Sequence, residues 1–194
     1  MPPKIQRLLL PVPARARSRE VASFFAQLDD LSRRMYADLA DCTPAELAWQ
    51  PAPGRNTVGM LLAHCALVEV FWLAVMNHDV PPAEWDRMMR RALAFDPEGD
   101  GMPLPPGGAP PRALKGWTLA RHAKLHDRAR AWARKAASRW TDAQLARPFR
   151  RTRHDGTLRV TSGRWVLYHL VEHLAGHYGQ VLLLRHEYRD RKRR

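Results

Sequence analysis

The segment Arg164–Tyr188, RWVLYHLVEHLAGHYGQVLLLRHEY, reads as one long helix, and its three histidines decide how the rest of the chain is read. His169, His173 and His177 stand four residues apart. Residues at that spacing share a helix face, offset by about 40° and one turn along the axis. Histidine is costly to hold on an otherwise apolar helix unless something uses its ring nitrogens. An i, i+4 pair presents two imidazoles to one metal ion, and both 169/173 and 173/177 qualify. His169 and His177 lie roughly 80° and two turns apart, too splayed to chelate one ion together. Spacing alone leaves open which pair acts.

A second helix must supply the remaining ligands. The stretch NTVGMLLAHCALVEVFWLAVMNH, opening at Asn56 or Thr57 and ending near His78, is apolar almost all round, the mark of a helix buried on most faces. His64 lies midway along it, either hydrogen-bonded in the core or a ligand facing the centre of a bundle. Bundle-core metal sites draw their ligands from facing helices, and that favours the second role once an H-x-x-x-H pair exists elsewhere. Three imidazoles would leave coordination positions open, as catalytic sites require. Glu69 and Glu172 are candidate carboxylates for orienting a ligating ring. Cys65 adjoins His64 but points about 100° away on a helix, and reads as a small core side chain. His122 and His126 form another i, i+4 pair, but Arg121, Lys124 and Arg128 surround them; they read as surface histidines.

Two further long helices complete the pattern. SREVASFFAQLDDLSRRMYADLADC has Ser18 as its N-cap and Val21, Phe24, Phe25, Leu28, Leu31, Met35 and Leu39 at helical spacing. TLARHAKLHDRARAWARKAASRW sets Leu119, His122, Leu125, Ala129, Trp132 and Ala136 against a basic face. TPAEL from Thr43 is a capped single turn, and PPAEWDRMMRRALAF is a shorter helix. Asp96–Pro111 holds so many prolines and glycines that no regular element can form there. The stretch before the last helix is a loop or a short hairpin turning at Asp155-Gly156. Together these predict an all-α fold: a four-helix bundle with an additional short helix and a hairpin before the last helix, forming a single domain over 1–194. The basic ends, 1–17 and 189–194, are expected to be poorly ordered.

The sequence of 194 residues carries a net charge of +13. Much of the excess sits at the two ends and in Arg147–Arg159, where charge is usually solvated surface, so no specific nucleic-acid partner is expected. No segment has the roughly 18 consecutive apolar residues of a membrane span. Two cysteines, Cys42 and Cys65, make no disulfide framework, which points to a reducing cytoplasm. Phe24-Phe25 and the seven tryptophans leave a homodimer face open. There is no H-E-x-x-H, no G-x-S-x-G, no phosphate-cradling loop and no dinucleotide fingerprint.

PGRNTVGMLLAHCALVEVFWL (Pro53–Leu73) and HLVEHLAGHYGQVLLLRH (His169–His186) resemble two helices of the DinB/YfiT-like superfamily of metal-dependent bacterial proteins. The first matches a helix with one histidine after an N-[ST]-hydrophobic start. The second matches H-x-x-x-H followed by x-G-Q. The resemblance implies a divalent metal, zinc or nickel being favoured, on His64, His173 and His177, with His169 one turn away. Gly176 and Gly179 would let another helix approach. It further implies a low-molecular-weight thiol as substrate, in S-transfer or thiol-dependent isomerisation, with Arg153, Arg159 or Arg164 holding its carboxylates. Hydrolysis using Glu172 or His169 as base, a non-catalytic stress-response protein, and a basic nucleic-acid-associated protein are the competing readings.

Overall fold

A computed structural model of the chain describes residues 9–13, 15–76, 84–152 and 156–193. Seven helices and one hairpin follow in order: α1 Arg19–Asp38, α2 Pro44–Ala48, α3 Val58–Met76, α4 Trp85–Leu93, α5 Leu119–Ala137, α6 Asp142–Ala146, β1 Pro148–Thr152, β2 Leu158–Ser162 and α7 Gly163–Arg193. The fold is all-α apart from the two-stranded hairpin. Short side chains set the helix starts. Ser18, Thr43, Thr57 and Thr118 each accept a hydrogen bond from the backbone N–H three residues on, satisfying one orphan donor of α1, α2, α3 and α5. Thr141 and Gln144 form a reciprocal capping box on α6.

Helix α3 is the central element. It packs on both α5 and α7, while α1 closes the bundle against α7 and α5 and α4 covers α3 and α5. Leu28 and Met35 of α1, with Leu39 at its carboxyl-terminal cap, meet Leu61, Leu62 and Leu73 of α3 and Leu167, Leu170 and Leu174 of α7 in one core cluster. Met60, Leu67 and Val70, on another side of α3, pack with Met89, Leu93, Trp117, Leu125 and Ala129. Burial on several sides explains why α3 has no polar stripe. By length and composition alone Val58–Met76 would span a membrane, although its apolar run is interrupted; 83% of that window is buried inside the protein.

The hairpin pairs Pro148 with Ser162 and Thr152 with Leu158 in antiparallel register. An isolated two-stranded hairpin is marginal in water; here Phe149 anchors it in the core, while Leu158 and Val160 face outward. Gly156 of the expected turn has φ +78°; Asp155 lies outside the described residues, as do residues 1–8 of the basic amino-terminal stretch and His78.

The expected end of the last helix at Tyr188 is corrected. Helix α7 runs 31 residues to Arg193, roughly 46 Å. The reason is ion pairing at its carboxyl-terminal end. Arg185 bonds Asp41 and lies 3.2 Å from the buried Glu46, and Arg189 donates to Asp41 at 2.7 Å. The first residues of the basic tail are therefore a docked helix rather than a loose arm.

Gly176 and Gly179 are a second correction. Among the described residues, no atom beyond the helix's own neighbouring backbone lies within 4 Å of where a Cβ would sit at either, so no described helix approaches there. Helical glycine is worth about 1 kcal/mol less than alanine. Gly176→Ala and Gly179→Ala are each expected to raise unfolding stability by up to about that amount, readable in urea melts; a loss of stability would mean the face is covered.

Candidate metal centre

Helices α3 and α7 bring three imidazoles to one point. His64, His173 and His177 each offer a ring nitrogen, and these atoms all lie within 4.8 Å of one another. His173 Nε2 is 3.2 Å from His64 Nε2 and 3.1 Å from His177 Nε2. Tetrahedral zinc with Zn–N bonds of about 2.0–2.1 Å separates its ligand nitrogens by about 3.3–3.4 Å, which the two separations from His173 approach.

The outer nitrogens are tied down in the sense a cation requires. His64 Nδ1 donates to Asp100 Oδ2 at 2.8 Å, and a carboxylate can only accept. That leaves the His64 Nε2 lone pair pointing inward. His177 Nδ1 donates to Gln180 Oε1 at 2.8 Å, with the same result. Two inward lone pairs then flank His173 Nε2, which has at most one proton to share between them. A single positive centre satisfies all three, and neutral imidazole nitrogens suit zinc and nickel alike. Burial, reinforced by His177, His64 and His169, pushes the His173 pKa down to about 3. Burial also lowers His177, against the opposing bond to Gln180. Both rings are therefore neutral, ligand-ready bases at neutral pH.

Asp100 was not legible as a functional residue. It lies in the Pro/Gly-rich loop, is 4% exposed, and also accepts from Met102 N–H at 3.2 Å. Gly101 follows it at φ +67°, a left-handed turn that glycine adopts without strain. The loop forms no helix or strand over 96–111 but is pinned by Gly54 N–H and the Gln50 amide, both donating to Gly108 O at 2.8 Å. In sequence Asp100 differs little from Asp96 and Glu98 nearby; only the loop's path selects it.

The other candidates separate. His169 stacks on Trp165 at 4.9 Å and 6° and meets Trp72 edge-on at 5.3 Å, its ring 5.7 Å from that of His173. It belongs to an aromatic wall beside the triad, and burial lowers its pKa. Glu172 sits 3.8 Å from His169 Nδ1 with a half-exposed side chain. Glu69 does not face the triad. It is five residues from His64, on another side of α3, where Arg130 Nε donates to it at 2.6 Å and His126 Nε2 lies 3.7 Å away. His126 and His122 are buried, at 3% and 1% exposure, not surface residues as expected. Their basic neighbours point outward while both rings turn toward α3. Of the three arginines expected at the rim, Arg164 is bonded to Glu20, Arg159 lies over the Trp165 ring at 5.9 Å, and Arg153 falls outside the described residues.

The family comparison covers most of the helical part of the chain. A family model described as the DinB superfamily matches residues 27–181, from within α1 to within α7. No curated protein matches the chain. With the three-histidine convergence on α3 and α7 inside the matched span, the chain belongs to the DinB superfamily.

Proposed function

We propose that this protein is a metal-dependent enzyme holding a divalent ion, zinc or nickel, on His64, His173 and His177, and that it acts on a low-molecular-weight thiol by S-transfer or thiol-dependent isomerisation. The observation that carries the reading is the inward convergence of three imidazole nitrogens whose outer nitrogens are anchored by Asp100 and Gln180. His64, His173 and His177 would hold the divalent ion, whose charge would favour the thiolate form of a thiol bound to it. The chain's own residues do the rest. Asp100 fixes the tautomer and tilt of His64. Trp165 and His169, stacked on one another and backed edge-on by the buried Trp72, supply aromatic surface for the organic part of a substrate. Arg159, beside Trp165, is placed to meet a carboxylate.

We place the protein in the cytoplasm, in line with two unpaired cysteines, and expect no nucleic-acid partner. Arg130, Arg134, Arg164, Arg185 and Arg189 are each paired locally with a carboxylate.

The test is thiol consumption with a chlorodinitrobenzene electrophile, using glutathione and bacterial cysteinyl thiols, before and after chelation and after reloading. Turnover that disappears with chelator and returns with zinc or nickel is expected. Stoichiometric metal with no turnover of any thiol would instead favour a non-catalytic metal-holding protein. Asp100→Ala is expected to weaken metal binding by roughly 10–100-fold, the usual effect of removing an outer-shell partner. Competition against a chromophoric chelator measures this, and an unchanged affinity would remove Asp100 from the site.

A further inference from the structure

A second pocket, sharing no residue with the triad, lies where α2, the start of α3, the end of the Pro/Gly loop and the start of α5 meet. Its volume is about 160 Å³. An apolar cavity of about 150 Å³ admits a benzene ring. Leu47, Leu114 and Trp117 give it apolar walls and are themselves buried. Arg112 and Lys115 line it too but are exposed, which puts them at the mouth, and none of its described lining residues is acidic.

His122 lines the same pocket at 1% exposure, and its Nδ1 meets no hydrogen-bond partner among the described residues. Buried polar nitrogens are nearly always paired in native structures, so an unpaired one beside a cavity marks a missing partner. Burial, with a contribution from Arg121, pulls its pKa down to about 4, so the ring is neutral and offers one donor and one acceptor. Gly59 makes room for it. A Cβ there would lie 3.2 Å from His122 Nε2 and 3.1 Å from Leu47 O. The ring thus rests against the α3 backbone, which a larger side chain would prevent.

We propose that this pocket is a second ligand site for a small aromatic carboxylate bearing a ring hydroxyl. The ring lies among Leu47, Leu114 and Trp117, the carboxylate meets Arg112 and Lys115, and the hydroxyl pairs with the His122 imidazole. A hydroxyl both donates and accepts, so it satisfies either tautomer of that ring. Charge-assisted bonds from exposed cations select an anion over its neutral analogue.

The experiment titrates the full-length protein, metal-loaded and chelated, with 4-hydroxybenzoate, benzoate and phenol, following indole NMR signals and calorimetry. Saturable one-to-one binding of 4-hydroxybenzoate is expected, tighter than benzoate or phenol, in both metal states. The double variant Arg112→Ala/Lys115→Ala, changed only at exposed positions, should weaken both acids by about tenfold and leave phenol within about twofold. His122→Phe should remove the advantage of 4-hydroxybenzoate over benzoate, and Gly59→Val should abolish binding of all three. Should either buried variant fail to fold, the exposed pair still decides. No saturation up to millimolar ligand, acid binding indifferent to the double variant, or phenol binding as tightly as the acids would each overturn the proposal.

Discussion

His173→Ala is expected to lower metal affinity by more than the roughly 10–100-fold that follows loss of an outer-shell partner, because it removes the ligand lying between the other two. His173 Nε2 lies 3.2 Å from His64 Nε2 and 3.1 Å from His177 Nε2, close to both partner nitrogens at once. Without it the remaining two imidazoles make only a two-point site. The same loss appears in stability. A ligand present at a hundred times its Kd stabilises the folded state by about 2.7 kcal/mol. For a chain of this length that is a rise of roughly 5–11 °C in Tm. Wild-type protein should show that rise on adding zinc or nickel, and His173→Ala should not. Elemental analysis showing full metal stoichiometry in the variant would refute the ligand assignment, while leaving the helical fold untouched.

Glu69→Ala separates the two polar clusters of α3. Its carboxylate is bonded by Arg130 Nε at 2.6 Å and Nη2 at 3.1 Å, and Arg130 itself reaches Asp29 and Ser32. Arg134 joins through Asp29. Removing Glu69 leaves Arg130 only the half-exposed Asp29 as a counter-charge, and losing one partner of a buried ion pair costs up to about 3–5 kcal/mol. Thermal melts should fall by roughly 6–20 °C, with metal affinity unchanged, since Glu69 faces away from the triad. A large drop in metal affinity with an unchanged melt would restore Glu69 to the site. Burial would raise the Glu69 pKa, but Arg130 and His126 outweigh it and hold it below the ordinary value of a glutamate carboxyl. A depressed carboxylate stabilises the fold fully above its unfolded pKa. The wild-type advantage over Glu69→Ala should therefore persist at neutral pH and be lost as pH falls from about 4.5 through the lower folded value.

Glu69, a candidate in the sequence, and Asp100, which was not one, show where local reading stops. Glu69 shares a helix with His64, yet five residues of helical rotation turn it to another side. Asp100 is 36 residues from His64 and lies in a segment without periodicity, yet it makes the closest hydrogen bond to that ring. The histidine pairs divide in the same way. His122/His126 and His173/His177 have identical spacing, and both sit on long helices. What distinguishes them is the partner across α3: Gly59 and Glu69 for the first pair, His64 for the second.

Helix positions, their caps at Ser18 and Thr43, the all-round burial of α3 and the H-x-x-x-H geometry were determined by sequence, because each depends on residues within a turn or two and on a fixed 3.6-residue period. Tertiary structure alone decided the partner of each buried charge, the docking of Arg185 and Arg189 on Asp41, the inward turn of His122 and His126, and the loop path that carries Asp100 to His64. Those outcomes depend on which distant surfaces pack together, a collective balance of apolar burial and polar pairing that no short window of residues encodes.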